Sequence, residues 1–347
     1  MTITVAVIGL GMGRGHVQHF HNHPDASVVA LCDLNEDLLR RVGDEFDVRG
    51  RYTDCQAMLE AERPDVVSIA TPNKLHRPLT IAALEAGAHV LCEKPMAMNA
   101  QEAEEMLAVA RRTGRRLMIN FSFRFSGAAW GMKQVAASGR LGEIYAGRSV
   151  WMRRYGMPKF GGWFGTKALS GGGPLIDLGV HRLDLALWWM GYPEPEWVLA
   201  QTHNHIGTAR AQREGANFDV EDFASAMIRF TNGAVLQLEA SWAGHIRDKE
   251  YMETRVMGTE AGLHHHNLNG GYQFHSAMYS RENEMPTDHI FVDPFPGPPS
   301  AMHHFIDCIR DDVPHVATGE EGHTVMRLLD AIYQSAERGE PVHIARD

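Results

Sequence analysis

The chain has 347 residues, of which 44% are hydrophobic and 22% are charged, a composition typical of globular proteins and unlike disordered or fibrous chains. This length favours two domains and a core that needs neither disulfides nor a structural metal. The 43 acidic and 33 basic residues give a net charge of -10, which disfavours nucleic acid and anionic membranes as partners. The four cysteines form no C-x-x-C pair, so neither a disulfide framework nor a cysteine zinc site is indicated.

The N-terminus begins with a β-branched run, Ile3–Ile8, with no basic segment or cleavage site before it. This pattern predicts a strand and not a signal peptide. No apolar stretch reaches the roughly 18 residues that a membrane-spanning helix requires. We therefore expect a cytoplasmic protein.

Residues 1–122 alternate short apolar runs with amphipathic segments, which is typical of βαβ units and a parallel sheet. The predicted strands are Ile3–Ile8, Val28–Cys32, Val66–Ala70, Val90–Cys92 and Leu117–Ile119. The predicted helices are Asn35–Phe46, Leu75–Ala86 and Asn99–Thr113. Glycines follow the last two helices directly, as expected at helix ends.

Beyond Asn120 the pattern changes to longer alternating segments, which predict an antiparallel or mixed sheet in an α/β domain. Its predicted strands include Glu143–Met152, Phe223–Phe230 and Ala234–Trp242. We place the boundary near residue 122, so the predicted domains are 1–122 and 123–347. Residues 293–300 are predicted to form a turn-rich connector before two closing helices, Ala301–Arg310 and Glu320–Glu337.

A glycine-rich turn follows the first predicted strand, and a helix is predicted from Arg14 to His21. In a dinucleotide-binding turn the first glycine permits a sharp bend, and the second lets backbone N–H groups approach a pyrophosphate. The third position of the G-x-G-x-x-G pattern is Arg14, so the match is imperfect and a flexible turn is the alternative. The residues predicted to contact a cofactor here are Gly9, Gly11, Met12 and Gly13.

Asp33 ends the second predicted strand, about 20 residues beyond Gly11. A carboxylate at this position can accept both ribose hydroxyls of adenosine and would repel a 2′-phosphate. This favours NAD over NADP as cofactor. The alternative is that Asp33 caps the helix that begins near Asn35.

Two polar segments, Thr71–His76 and Cys92–Pro95, follow predicted parallel strands at the edge where an open α/β sheet holds its ligand. A lysine at this edge, Lys94, can donate a hydrogen bond to an alkoxide and stabilise its charge. The alternative is an ordinary solvent-facing loop lysine.

A third segment, Gly171–Asp184, begins with three glycines and carries Asp177, His181 and Asp184 at positions i, i+4 and i+7. If a helix starts after the glycines, Asp177, His181 and Asp184 share one face. A histidine beside a carboxylate is a suitable proton acceptor near neutral pH. Taken alone, the triplet is more often an ordinary polar helix face.

Together, these motifs resemble the Gfo/Idh/MocA family of glucose–fructose oxidoreductases and inositol dehydrogenases, and the resemblance covers the whole chain. It implies a Rossmann domain followed by an α/β domain with a large, mostly antiparallel sheet that often mediates dimers or tetramers. It also implies that Lys94 contacts substrate and nicotinamide, that Asp177 binds substrate and that His181 transfers the proton. The residues that it implies for seating the cofactor are Glu93, Thr71, Pro72, Asn73 and His76.

The chain departs from the family pattern in the glycine turn. The turn's histidine, His16, comes one residue earlier than usual, which leaves the pyrophosphate contacts of Met12 and Gly13 open. Arg124 lies in a segment that resembles the crossover into the second domain, where an arginine commonly approaches the site. Interdomain packing explains Arg124 equally well. The resemblance also implies a cis peptide before Pro95.

Aromatic residues before the triple glycine suit a sugar ring, because Tyr155 and Trp163 lie in a stretch that also carries arginines. A packed loop explains Trp163 equally well. The run His264–His266 does not predict a metal site, since three consecutive histidines cannot face one ion on a strand or a helix. We expect no metal.

The sequence therefore predicts an NAD-dependent oxidoreductase that transfers a hydride between a secondary hydroxyl of a sugar or polyol and NAD. Further substrate contacts are predicted at Arg124, Tyr155, Trp163 and Asp184. The alternatives are a redox-assisted NAD-dependent glycoside hydrolase and a non-catalytic nucleotide-sensing protein. The predicted partners are a small-molecule sugar or polyol substrate and further copies of the chain, in a homodimer or homotetramer formed through the second-domain sheet.

Overall fold

The computed structural model describes residues 2–292 and 297–345, so the predicted connector at 293–300 lies partly outside the described residues. The chain divides into two units. The first unit comprises Met1–Ser122 and Pro298–Met326, and the second comprises Phe123–Gly297 and Arg327–Asp347. None of the helices in the described ranges is long and apolar enough to cross a membrane.

The first unit is built on a parallel six-stranded sheet in the order β3-β2-β1-β4-β5-β6. Its strands are β1 (Ile3–Ile8), β2 (Ala26–Cys32), β3 (Gly50–Tyr52), β4 (Val66–Ile69), β5 (His89–Glu93) and β6 (Leu117–Asn120). Strands β4 and β6 are buried along their whole length, as expected for a parallel sheet covered on both faces. The strand order reverses between β1 and β4, and such a switch point is where open α/β sheets bind ligands.

The helices of the first unit agree with the predicted ones to within one or two residues, with two exceptions. They are α1 (Leu10–His21), α2 (Glu36–Glu45), α3 (Cys55–Glu62), α4 (His76–Glu85), α5 (Ala100–Thr113), α10 (Ala301–Arg310) and the start of α11 (Gly319–Arg338). Helix α1 begins at Leu10 and not at Arg14. Helix α3 was not predicted from its short apolar pattern, although Asp54 caps it by accepting a hydrogen bond from the Ala57 amide at 2.7 Å.

Residues 298–326 belong to the first unit, which differs from the predicted division into 1–122 and 123–347. The Ile119 amide donates to the Ala317 carbonyl at 2.8 Å, and Met118 pairs with Thr318. The Arg116 guanidinium also donates to the Cys308 carbonyl at 2.7 Å, across 192 residues of sequence. Local sequence patterns cannot predict backbone pairing between segments that lie almost 200 residues apart, so this part of the first unit was not predicted.

The second unit is built on a nine-stranded sheet in the order β14-β13-β12-β11-β7-β10-β9-β8-β15. Its strands are β7 (Ile144–Arg153), β8 (Pro195–His203), β9 (Phe223–Phe230), β10 (Val235–Ser241), β11 (Glu250–Gly258), β12 (Ala261–Asn267), β13 (Phe274–Glu282), β14 (Met285–Ile290) and β15 (Val342–His343). Only the β7–β10 pair is parallel among these described strands. The predicted α/β class with a mostly antiparallel second sheet is therefore confirmed.

Helices pack on one face of this sheet, and among the described residues the other face carries exposed side chains such as Leu199 and Met227. The remaining helices are α6 (Gly127–Ala137), α7 (Lys167–Ser170), α8 (Val180–Met190) and α9 (His205–Glu214). Helix α8 packs on β7 and β11. Side chains alternate between the two faces along β12, so His264 and His266 face one side of the sheet and His265 faces the other. His265 is buried, and its ring stacks on that of Phe274 with a centroid separation of 4.3 Å. No group of three His, Cys, Asp or Glu side chains in the described ranges could hold a metal ion.

A buried ion pair fastens the beginning of the second unit to α8. The Arg124 guanidinium donates to both carboxylate oxygens of Asp184, at 2.9 and 2.5 Å, and the Tyr192 hydroxyl donates to Asp184 at 2.7 Å. The side chains of Arg124 and Asp184 are 0% and 1% exposed. Removing one partner of such a pair leaves an uncompensated charge in the core, so each residue depends on the other.

We expect Asp184→Ala to lower the free energy of unfolding of the second unit by about 3–5 kcal/mol. All seven tryptophans lie between residues 130 and 242, so urea unfolding followed by tryptophan fluorescence reports on this unit. The control is Glu196→Ala, which breaks the exposed Arg229–Glu196 pair of the same unit and is expected to cost less than about 1 kcal/mol. Equal effects of the two substitutions would contradict the importance of the buried pair.

Candidate active site

The glycine turn connects the end of β1 to the N-terminus of α1. Gly9 has φ 86°, and a Cβ at this position would lie 2.6 Å from the carbonyl oxygen of Ala70, so only glycine fits. A Cβ on Gly11 would meet nothing within 4 Å. The first turn of α1 carries no acidic side chain and Gly9 supplies no side-chain cap. Its N–H groups and the helix dipole therefore suit an anion such as a pyrophosphate.

Gly13, and not the residue at the G-x-G-x-x-G position, allows the close packing of α1 on the sheet. A Cβ on Gly13 would lie 3.1 Å from Val7 Cγ1 and 3.3 Å from the Cβ of Ala70. The third glycine of the turn thus comes one residue earlier than in the usual pattern, and the helix itself begins at Leu10, within the glycine turn. Arg14 itself is exposed and pairs with Glu45. Met12 is 61% exposed on the first turn of the helix.

The carboxylate of Asp33 lies beside this turn and is held by two backbone amides. Its Oδ2 accepts from the Leu10 amide at 2.7 Å, and its Oδ1 accepts from the Asn35 amide at 2.8 Å. The helix-cap alternative is not what the structure shows, because Asn35 caps α2 by accepting from Leu38 at 3.1 Å. Asp33 remains half-buried, with its carboxylate at the position where a Rossmann domain binds ribose hydroxyls.

His76, predicted to seat the cofactor, is fully buried, and both of its ring nitrogens contact backbone carbonyl groups. Its Nδ1 lies 2.7 Å from the Pro95 carbonyl oxygen and its Nε2 lies 2.9 Å from the Thr71 carbonyl oxygen. Burial lowers the pKa of His76, although the two carbonyl groups oppose this. The prediction for His76 is therefore corrected: its ring connects the loop after β4 to the loop after β5. Thr71 and Pro72 lie in the first of these loops and are half-buried, while Asn73 is buried at the start of a 3-10 turn.

Glu93 is the centre of a buried polar network at the end of β5. Its Oε1 accepts from His16 Nε2 at 2.9 Å and from Asn120 Nδ2 at 2.5 Å, and its Oε2 accepts from the Lys94 amide at 3.2 Å. The other ring nitrogen of His16 lies 2.8 Å from the Ser68 hydroxyl. Burial opposes ionisation of Glu93, but these hydrogen bonds and the nearby charges hold its pKa below the usual value.

Of the residues in this network, Glu93 was predicted only through the family resemblance, and His16 was noted only as part of the glycine-turn motif. Asn120 could have been found as the polar residue that ends an apolar strand, whereas Ser68 gives no signal within its strand. Lys94 follows Glu93 and is half-buried, and the Lys94–Pro95 peptide is cis, as the resemblance implied.

In the second unit, the triple glycine leads into one π-helical turn, Leu175–Gly179, that carries Asp177. Glu221 holds the start of this turn by accepting from the amides of Gly173 and Leu175 at 2.9 and 3.1 Å. A Cβ on Gly173 would lie 2.0 Å from the Glu221 carbonyl oxygen, which explains why glycine is needed. The Trp242 indole N–H donates to Asp177 Oδ2 at 3.0 Å, an orienting contact that no sequence motif indicated.

His181 lies in the first turn of α8 and is half-buried against aromatic rings. The centroid of its ring is 5.1 Å from that of Phe123 and 5.6 Å from that of Trp151. Asp177 lies in the preceding π-helical turn, and Asp184 follows three residues after His181 in α8. Asp184 is buried against Arg124, and both are corrected from substrate contacts to a structural ion pair.

The two aromatic residues predicted to contact a sugar differ in exposure. Tyr155 is 62% exposed, and its ring lies 5.6 Å from that of His245. Trp163 is half-buried and stacks on Phe164 with a centroid separation of 3.9 Å. The substrate contact predicted for Trp163 stays a prediction, and Tyr155 keeps a large accessible surface.

Comparison with known proteins agrees with this arrangement. Residues 3–121 match the oxidoreductase family model described as an NAD-binding Rossmann fold, and residues 133–344 match the same family's C-terminal alpha/beta domain. The D-glucoside 3-dehydrogenase of Escherichia coli (strain K12) is 35% identical over 356 aligned positions, covering 99% of this chain and 97% of that protein. The 1,5-anhydro-D-fructose reductase of Ensifer adhaerens is 31% identical over 317 positions, 91% of each chain.

A solved structure shows the same fold over the whole length. The aldose-aldose oxidoreductase from Caulobacter crescentus, complexed with glycerol, superposes with a TM-score of 0.84 at 26% identity, covering 99% of this chain and 100% of that one. Both domains and their order thus agree with the sequence motifs, and the predicted NAD-binding oxidoreductase is confirmed at the level of the family. The chain belongs to the Gfo/Idh/MocA oxidoreductase family.

Proposed function

We propose that this enzyme oxidises a secondary hydroxyl of a sugar, a glucoside or a related polyol with NAD as the hydride acceptor. The observation that carries the proposal is the combination of a dinucleotide-type turn and Lys94 in one unit with an oriented carboxylate and a histidine in the other. Its relatives include a D-glucoside 3-dehydrogenase and a 1,5-anhydro-D-fructose reductase, which favours a ring hydroxyl as the reacting group.

The residues of the first unit fit NAD. Gly9 and Gly11 leave the backbone open at the N-terminus of α1, where a pyrophosphate is favoured. The carboxylate of Asp33 is fixed with both oxygens beside the turn and suits the two adenosine ribose hydroxyls. When bound, NAD supplies the carbon that accepts the hydride.

In the proposed reaction, His181 accepts the proton of the substrate hydroxyl as the hydride leaves its carbon. The Lys94 ammonium donates a hydrogen bond to the oxygen on which negative charge develops. Asp177 accepts from a neighbouring hydroxyl and so aligns the ring, and Trp242 fixes the carboxylate for this contact. Tyr155 is proposed as a further substrate contact because of its exposed ring.

We place the enzyme in the cytoplasm because its cysteines Cys32, Cys55, Cys92 and Cys308 are all free thiols. Cys92 and Cys308 are buried, and Cys32 is buried with its pKa raised to about 12 by burial and neighbouring charges. Such thiols suit a reducing compartment.

A nitrophenyl glucoside distinguishes oxidation from the redox-assisted hydrolysis considered above. Oxidation of the ring hydroxyl produces NADH and leaves the glycosidic bond intact, whereas hydrolysis releases nitrophenol without net NADH. We expect NADH to accumulate. Release of nitrophenol alone would replace the dehydrogenase proposal with the glycosidase.

We expect Lys94→Met and His181→Gln each to lower kcat by roughly 100- to 10,000-fold, because each removes a group that acts in the transition state. Binding of NAD, measured by fluorescence titration, is expected to stay within a few-fold of the wild type for His181→Gln. The control is His343→Gln, an exposed histidine in β15 that is expected to retain full turnover. Near-normal turnover in both Lys94→Met and His181→Gln would contradict the assignment.

We expect Asp33→Ser to raise the KM for NAD by about 10- to 100-fold, since a charged acceptor of hydrogen bonds is lost. NADP should be used better relative to NAD because the repulsion of its 2′-phosphate is removed. Initial rates with both cofactors measure the change, and Asp44→Asn on the exposed end of α2 is the matched control. An unchanged ratio of kcat/KM for the two cofactors would show that Asp33 does not select NAD.

We further propose that the uncovered face of the nine-stranded sheet binds a second copy of the chain in a homodimer or homotetramer. Leu199 and Met227 are cross-strand neighbours on this face and are 39% and 37% exposed. Arg148 and Glu239 form an ion pair beside them, so the face combines apolar surface with both signs of charge. A surface of this kind is self-complementary under two-fold symmetry.

We expect Leu199→Glu combined with Met227→Glu to shift the enzyme toward the monomer, because four carboxylates would be buried in a two-fold interface. Sedimentation velocity at micromolar concentration measures the change. Val313→Glu, at a 45% exposed apolar residue of the first unit, is the control and is expected to leave the assembly intact. Assembly that survives the double substitution would exclude this face as the interface.

A further inference from the structure

Arg182, the residue that follows His181, is a fully buried guanidinium with no hydrogen-bond partner among the residues that the structure describes. It is 0% exposed, and Nε, Nη1 and Nη2 are all unpaired. Its backbone carbonyl is bonded normally and accepts from the Ser149 hydroxyl at 2.7 Å. Buried charges are usually paired because their desolvation is costly, so an unpaired one beside a proposed catalytic residue indicates a function.

Three aromatic rings surround this guanidinium. Its Cζ lies 4.6 Å from the centroid of Phe123 and 5.4 Å from those of Trp151 and Phe274. We call these three rings the aromatic cage. Ring faces attract a cation but carry no net charge, so the cage holds the guanidinium without neutralising it. Burial lowers the pKa of Arg182 to about 9, which still leaves it charged at neutral pH.

Two rings of the aromatic cage also contact His181. The imidazole centroid is 5.1 Å from Phe123 and 5.6 Å from Trp151, so the guanidinium and the imidazole lie on the same two rings. In such surroundings, a charge acts on its neighbours much more strongly than it would in water.

The carboxylates near this cluster are engaged by other groups. Glu250 accepts from the Trp151 indole at 2.6 Å and from Arg153 at 2.8 Å, and so pairs with Arg153 and not with Arg182. Asp177 accepts from Trp242, and Asp184 pairs with Arg124. None of these carboxylates makes an ion pair with Arg182 in the described part of the chain.

The other titratable groups packed here add little positive charge. Burial lowers the pKa of His265 on β12 well below its usual value, so this histidine is neutral. Tyr272 precedes β13, and its hydroxyl lies 3.4 Å from Glu250. Glu250 and Tyr272 favour the charged form of Arg182 but make no hydrogen bond to it, so this cation has no direct partner in the described part of the chain.

We propose that Arg182 is a positioning residue whose charge, which has no hydrogen-bonded partner, keeps His181 in its neutral, proton-accepting form. This inference rests on the proposed function, in which His181 is the base. An imidazolium ion beside the guanidinium is disfavoured, so protonation of His181 requires a lower pH than it would without Arg182. The enzyme thereby keeps its base available further into the acid range.

The test is the pH profile of kcat/KM for sugar oxidation in Arg182→Met and Arg182→Lys. Methionine keeps much of the side-chain volume without the charge, so the acidic limb is expected to move to higher pH by about one unit. The alkaline plateau should stay within a few-fold of the wild type because His181 is intact. Lysine keeps the charge and is expected to keep the wild-type limb. A limb that stays at the wild-type pH in Arg182→Met would overturn the inference.

A measurement independent of activity uses the NMR titration of histidine-labelled enzyme, with the His181 resonance assigned through His181→Gln. Its midpoint is expected to rise in Arg182→Met and to stay in Arg182→Lys, and an unmoved midpoint in Arg182→Met would overturn the inference. Replacing an unpaired buried charge with an apolar group is expected to leave the protein folded, with an equal or higher Tm. If Arg182→Met does not fold, Arg182→Gln carries the same prediction.

The two proposals fail in different ways. Near-normal turnover in His181→Gln would overturn the proposed function together with the role of Arg182. The role of Arg182 alone would be overturned if His181→Gln is inactive but Arg182→Met leaves both the acidic limb of the pH profile and the midpoint of the His181 NMR titration unchanged.

Discussion

The buried carboxylate of Glu93 is the interaction on which the arrangement of the first unit depends. It joins three elements, because His16 comes from α1, Asn120 ends β6 and the Lys94 amide follows β5. A buried carboxylate is stable only while its hydrogen bonds are satisfied, so each partner is fixed by the same requirement. The helix that presents its N-terminus to a pyrophosphate and the loop that carries Lys94 are thereby held by one side chain.

The second unit contains two buried arginines in opposite surroundings, one paired with a carboxylate and one not. Arg124 is neutralised by Asp184, and this pair contributes to the fold and has no surface left for a substrate. Arg182, on the same helix as Asp184, is surrounded by aromatic rings and has no carboxylate partner among the described residues. An unpaired charge reduces stability, and such a cost is typical of functional positions.

The sequence predicted the α/β class, five of the six described strands of the first sheet, three of the nine described strands of the second and the residues around the glycine turn, because hydrophobic periodicity and glycine positions are local properties. It left the third glycine position unfilled, because Arg14 stands there, and only the close approach of Gly13 to Val7 and Ala70 shows which glycine packs the helix on the sheet. It also assigned His76 to the cofactor, whereas the ring binds two backbone carbonyls. Both cases depend on which neighbour a residue meets, and a motif does not encode this.

The sequence by itself determined the family, the cofactor class and the identity of Lys94, Asp177 and His181 as candidates, because these follow from residue type and order along the chain. The tertiary structure alone decided which polar groups meet. It paired Arg124 with Asp184, placed Trp242 on Asp177 and left Arg182 unpaired behind His181. These contacts join residues tens of positions apart, and their energies depend on burial and on the surrounding charges, which exist only after the chain has folded.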